Sequence, residues 1–127
     1  MKLMIVDDSN IIRSRISRIL ADPKLPSIEI VGTAANGVEA IKLFKATQPE
    51  LVTLDLTMPE MDGVECTTLL MDESTEKNQE VKVLIISALS DKATAIQALK
   101  NGASGFLYKP FTDDELINAL LELIKDE

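Results

Sequence analysis

Asp7, Asp8, Asp55, Ser87 and Lys109 carry the side chains best suited to chemistry in this chain, and each closes an aliphatic run such as "LMIV", "LVTL" or "VKVLII". If those runs lie side by side, three carboxylates, a hydroxyl and an ammonium converge on one rim from positions up to about a hundred residues apart. Two carboxylates ~4 Å apart repel by roughly 4 kcal/mol at an effective dielectric near 20, so protons or a cation must intervene. The chain contains no histidine, so a metal there would have oxygen ligands only. An acidic oxygen site without an all-protein cage suits Mg²⁺, which keeps several waters and takes further ligands from carboxylates and a phosphate. Lys109 would then neutralise the far side of a bound phosphoryl group, and Ser87 would donate a hydrogen bond to it.

The elements that must position these residues alternate five times. Strands are predicted over Leu3 to Asp7, Ile28 to Ala34, Leu51 to Asp55, Val81 to Ser87 and Ser104 to Tyr108. Nearly continuous aliphatic runs such as "VKVLIIS" point to strands buried on both faces. Ile12, Ile16, Ile19 and Leu20 form a helical stripe that ends before the prolines of "ADPKLP". A second helix is expected from about Val38 to Thr47, opened by Asn36 and Glu39, and a third after Gly63. "DESTEKNQE" reads as a loop following that third helix. The fourth helix is expected from about Asp91 to Asn101 with Gly102 as its C-terminal cap. The fifth follows a Thr112/Glu115 capping box, with Leu116, Leu120, Leu123 and Ile124 on one face. Five β/α units imply a parallel sheet with helices on both faces, and ligands bind outside the carboxyl ends of such strands.

At 127 residues the chain fits one domain, 1–127, able to bury roughly two thirds of its unfolded surface. No apolar run approaches the ~18 residues of a membrane span, and no export signal is visible, so the expected location is the cytoplasm. The single Cys66 excludes an internal disulfide and reads as a small buried residue of the third helix. Thirteen basic against twenty-one acidic residues leave a net charge of −8, which argues against direct nucleic-acid binding. No glycine-rich dinucleotide fingerprint is present. Taken alone, "DDSN" also reads as a helix N-cap, with Asp8 able to serve both purposes; Lys109 reads equally as a surface lysine before a turn, and Phe106 by default as core.

Over its whole length the sequence resembles a response-regulator receiver domain of the CheY-like type. The carrying motifs are "VDD" at Asp7 and Asp8, "LDLTMPEMDG" around Asp55, "IISA" with Ser87, and "GASGFLYKPF" with Phe106, Lys109 and Pro110. The resemblance implies a flavodoxin-like, doubly wound, five-stranded parallel sheet of order 2-1-3-4-5 with five helices, a winding of which this family is itself a standard example. It also implies that Asp55 accepts a phosphoryl group, assisted by Lys109 and Ser87. Asp8, Asp55 and the Thr57 backbone carbonyl would bind Mg²⁺, with Asp7 acting through a water. Ser87 and Phe106 would form the switch that alters the surface of the fourth helix, fifth strand and fifth helix, and the Lys109–Pro110 bond would be cis. The implied partners are a sensor histidine kinase or histidine phosphotransfer protein upstream and a protein effector downstream; the expected state is a monomer or a phosphorylation-dependent dimer. Two positions, Thr57 and Leu89, stand where receivers flank the approach of hydrolytic water, and an apolar Leu89 predicts a long-lived phosphorylated state. Val81 stands where a proline is common.

The leading expectation is a phosphoacceptor switch, not an enzyme, that carries no output domain and signals by protein contact or as a module of a larger protein. The alternative is a Mg²⁺-dependent phosphohydrolase with an aspartyl-phosphate intermediate. That reading needs a substrate pocket or cap, and no insertion is large enough to build one. A third reading, an unphosphorylated interaction module, is weakened by the full set of expected site residues.

Overall fold

The computed structural model describes residues 1–56 and 62–125. Five strands alternate with five helices: β1 (Lys2–Val6), α1 (Asn10–Ile19), β2 (Glu29–Ala34), α2 (Gly37–Thr47), β3 (Leu51–Asp55), α3 (Gly63–Glu76), β4 (Lys82–Ala88), α4 (Lys92–Lys100), β5 (Gly105–Lys109) and α5 (Asp113–Lys125). A single 3₁₀ turn, Leu89–Asp91, leads into α4. The strands pair in parallel in the order β2-β1-β3-β4-β5, as the doubly wound reading requires. Each predicted strand exists, with ends within a residue of those expected.

The aliphatic strands separate their side chains between two cores. Leu3, Ile5, Leu51, Leu84 and Ile86 pack with Ile16 and Ile19 of α1 and Leu116, Ile117 and Leu120 of α5. Met4, Val6, Val52, Leu54, Val83 and Ile85 face the other way, against Phe44 of α2, Cys66 and Leu70 of α3, and Ala95 and Ala98 of α4. Burial on both faces explains the lack of polar alternation in these strands. Phe44 is fully buried at the centre of the second core, where truncation to alanine is expected to cost about 3–5 kcal/mol.

Local chemistry fixes the helix ends. Asn36 Oδ1 accepts from the Glu39 amide at 2.8 Å, and the Glu39 carboxylate reaches back to the Ala35 amide at 3.1 Å. Thr112 and Glu115 satisfy each other's amides at 3.1 and 2.9 Å, completing the capping box of α5. Gly102, at φ +117°, closes α4 while the Ala103 amide reaches the Ala98 carbonyl, a left-handed cap that suits glycine.

One expectation is corrected. "DESTEKNQE" is not a loop from its start, because α3 continues to Glu76. Leu70 and Ser74 extend one buried stripe, and the intervening acidic residues lie on the partly or fully exposed face, so polarity marked a helix surface rather than a break. The turn comes at Asn78, in the left-handed region at φ 52°.

Candidate functional site

In the order 2-1-3-4-5 the winding reverses between β1 and β3, and ligands of such sheets bind beyond the carboxyl ends of the strands at that point. Asp55 is the last residue of β3, and Asp7 follows the last residue of β1. Asp7 is 1% exposed and Asp55 5%, whereas Asp8 is exposed. One carboxylate oxygen from each lies within 4.8 Å of the other two, close enough to hold a metal ion together. The donor set is oxygen only, as a hard cation such as Mg²⁺ demands. Thr57, expected to contribute a carbonyl, lies outside the described residues.

The turn after β1 separates capping from the cluster. Ser9, not Asp8, caps α1, its hydroxyl accepting from the Ile12 amide at 3.2 Å. Asp7 Oδ1 accepts from the Ser9 amide at 2.9 Å, which orients that carboxylate. Arg13 donates to the Asp7 carbonyl at 2.5 Å, pinning the turn from α1.

Lys109 closes β5 opposite these acids. Its Nζ stands 3.4 Å from Asp55 Oδ1 and 3.5 Å from Asp7 Oδ2, with 28% of its side chain exposed. These distances exceed the ~2.8 Å of a tight charge-assisted bond, so the ammonium lies between two carboxylates rather than seated on one. The Lys109–Pro110 peptide is cis, as the resemblance implied. On β4, Ser87 is one step past Ile86, the register partner of Asp55. Its hydroxyl is buried and without a hydrogen-bond partner among the described residues. A buried hydroxyl left this way costs about 1–3 kcal/mol.

Other predicted residues fall into place differently. Phe106 is 41% exposed rather than core; its ring lies 5.1 Å from that of Tyr108. β5 is an edge strand, and α4 buries only Ala95 and Ala98, so this side of β5 is thinly covered. Leu89 is 65% exposed in the 3₁₀ turn after β4. Cys66 is fully buried. Burial pushes its thiol up from an ordinary value near 9 to about 12, and the charges of Glu65 and Asp62 add to the effect.

The β3 tip is braced from behind. The Gly63 amide donates to the Leu56 carbonyl at 2.9 Å, and a Cβ on residue 63 would stand 2.5 Å from Leu56 Cα. Composition and spacing carried no sign of this contact or of Arg13's bond to Asp7.

An acidic trio at the switch point of a 2-1-3-4-5 sheet, with a lysine opposite and a buried hydroxyl beside it, defines a class of doubly wound α/β domain with a cation-binding rim. The chain belongs to the response regulator receiver domain family, whose model matches residues 3–121. It is 39% identical to the chemotaxis protein CheY of Listeria monocytogenes, over 98% of this chain and 99% of that protein. The chemotaxis protein CheY of Thermotoga maritima is 33% identical, over 98% of each chain. Among solved structures, the receiver domain of the putative response regulator NarL from Mycobacterium tuberculosis superposes with a TM-score of 0.83 at 33% identity, covering 99% of this chain and 97% of that one. A chain of the CheX–CheY–BeF₃–Mg²⁺ complex from Borrelia burgdorferi does so with a TM-score of 0.85 at 31% identity, covering 98% and 89%.

Proposed function

We propose that this chain, as one receiver domain spanning 1–127, takes a phosphoryl group from a phosphohistidine of a partner protein onto Asp55 and passes the signal on by protein contact. The observation that carries the reading is the placement of Lys109 Nζ 3.4 Å from Asp55 and 3.5 Å from Asp7, at the edge of a carboxylate cluster able to share one cation. An Asp55 carboxylate oxygen attacks phosphorus; the new O–P bond forms as the bond to the donor breaks, and the donor keeps that electron pair. With acetyl phosphate the leaving group is acetate; with phosphohistidine it is the imidazole. Asp7, Asp8 and Asp55 would hold Mg²⁺, which when bound offsets their charge and polarises the phosphoryl oxygens. The Lys109 ammonium meets a phosphoryl oxygen on the side away from the acids, and the Ser87 hydroxyl gains the acceptor it lacks. Both act on the up to about two negative charges that the modification adds.

Support for the cation also comes from the Borrelia neighbour, a complex that contains BeF₃ and Mg²⁺. Inward movement of Ser87 would open room toward which Phe106, outward in this structure, can turn, altering the surface of α4, β5 and α5. The site acts as a switch in the cytoplasm, with a histidine kinase or phosphotransfer protein upstream and a protein effector downstream. No helix among the described residues is long and apolar enough to cross a membrane.

The deciding experiment is incubation with acetyl phosphate and Mg²⁺ followed by intact mass measurement. Wild type is expected to gain one phosphoryl group and Asp55→Asn none. Equal labelling of both would remove Asp55 from its role, and sustained turnover of unrelated phosphoesters would favour the phosphohydrolase.

A further inference from the structure

Arg15 stands on α1 outside the carboxylate cluster, yet its contacts converge on the connection between β5 and α5. Its Nη2 donates to the Phe111 carbonyl at 2.5 Å, across 96 residues of sequence. The same nitrogen pairs with Asp113 Oδ1 at 3.2 Å, and the guanidinium carbon lies 4.5 Å from the centre of the Phe111 ring. Phe111 is 4% exposed and belongs to the core shared by α1 and α5. Only Pro110 separates it from Lys109, which is paired with Ala88 at the end of the β4–β5 ladder.

We propose that Arg15 is a positioning residue for Lys109. The ladder fixes Lys109 from the strand side. Arg15 fixes it from the other side by holding both the carbonyl and the ring of Phe111, so that the ammonium reaches Asp55 and Asp7 from a backbone anchored at both ends. A charge on α1 would not suffice. The ion pair with Asp113, whose side chain is 57% exposed, contributes little by itself. The planar guanidinium, which can stack on a ring while donating at its edge, is what a lysine cannot reproduce. The kinetic consequence rests on the phosphoacceptor reading; the positional one does not.

The test uses the full chain with Arg15→Ala, Arg15→Lys, Arg18→Ala, Lys109→Ala and the Arg15→Ala/Lys109→Ala double variant. Arg18 is exposed and lines the same shallow groove as Arg15, so it controls for loss of positive charge from α1. The first readout needs no phosphoryl transfer: the rate at which limiting acetic anhydride acetylates Lys109, followed by peptide mass spectrometry. Release of the lysine is expected to raise that rate about threefold in Arg15→Ala, nearly as much in Arg15→Lys and not at all in Arg18→Ala. The second readout is the rate of phosphorylation by acetyl phosphate with Mg²⁺. A loss of about tenfold is expected in Arg15→Ala, since misplacing a catalytic group by an ångström can cost up to about a hundredfold. Removing Arg15 in the Lys109→Ala background should then cost nothing further.

Unchanged acetylation of Lys109 in both Arg15 variants overturns the proposal. So do independent, multiplying losses in the double variant, or an Arg18→Ala variant as slow as Arg15→Ala. If Arg15→Ala does not fold, Arg15→Lys carries the same comparison. If wild type takes up no phosphoryl group, the functional reading falls, while the acetylation rates still decide the role of Arg15.

Discussion

Replacing Lys109 with methionine should tighten Mg²⁺ binding while slowing phosphorylation, a pair of opposite effects that follows from where the ammonium sits. At 3.4 and 3.5 Å from two carboxylates, each attraction is about 5 kcal/mol at an effective dielectric near 20. Carboxylate oxygens within 4.8 Å of one another repel by at least about 3 kcal/mol per pair on the same scale. The lysine therefore offsets much of the tension that a divalent ion would otherwise relieve, and it competes with that ion for the same charge. Partial exposure and the mobility of a long side chain reduce the realised coupling to about 1–2 kcal/mol, or roughly five- to thirtyfold in Mg²⁺ affinity. Thermal melts across a Mg²⁺ titration report it directly, because stabilisation grows with the ratio of free ion to dissociation constant. Lys109→Met should melt below wild type without Mg²⁺ and recover more stability as the ion is added. Acetyl phosphate labelling of the same variant should slow by about a hundredfold, the usual scale for losing one charge-stabilising donor. A variant that binds Mg²⁺ as weakly as wild type, or more weakly, would refute the shared field on which this reasoning depends.

Ser87→Ala should leave the unphosphorylated protein as stable as wild type or up to about 1 kcal/mol more stable in urea, since it deletes an unpartnered buried hydroxyl; a loss of more than about 1 kcal/mol would contradict that. Leu89→Glu, at an exposed position in the 3₁₀ turn after β4, should shorten the lifetime of phospho-Asp55 severalfold by admitting and orienting water, measured as loss of the added mass with time; an unaltered lifetime removes Leu89 from the account. Cys66 should resist alkylation by iodoacetamide at pH 8 in the native state and react once urea unfolds the chain, because a thiol pushed up to about 12 holds little thiolate there. The same shift has a sign for stability. Between about pH 9 and 12 the unfolded chain gives up a proton that the folded one keeps, so stability should fall as pH rises through that window.

Strand ends were legible in the sequence because burial on both faces leaves unbroken aliphatic runs, and the polar residue that closes each run marks the carboxyl end of a strand. Asp7, Asp55 and Lys109 could be placed on one rim for that reason alone. What escaped depends on neighbours distant in sequence. The extent of α3 was hidden because its exposed face and a polar loop have the same composition. The exposure of Phe106 follows from the thin cover that Ala95 and Ala98 provide, a property of packing rather than of the residue. Nothing in the sequence sets Arg13 and Arg15 apart from other charges on a helix, and only the placement of α1 beside two loops aims their guanidinium groups at the Asp7 and Phe111 carbonyls. Thr53 Oγ1, buried in β3 without a partner among the described residues, had no signature in a strand where threonine is a common resident.

The close approach of Gly63 to Leu56 has a mechanical meaning for Asp55. Ordinary contact would require a methyl group at position 63 to retreat by about 1 Å from main-chain atoms, which have no rotamer to escape into. Either the first turn of α3 gives way or the tip of β3 does, and the second option drags the neighbouring carboxylate with it. Position 63 is thus a tuning screw for Asp55: a change there can displace its carboxylate while leaving the side chains of the acidic cluster themselves intact.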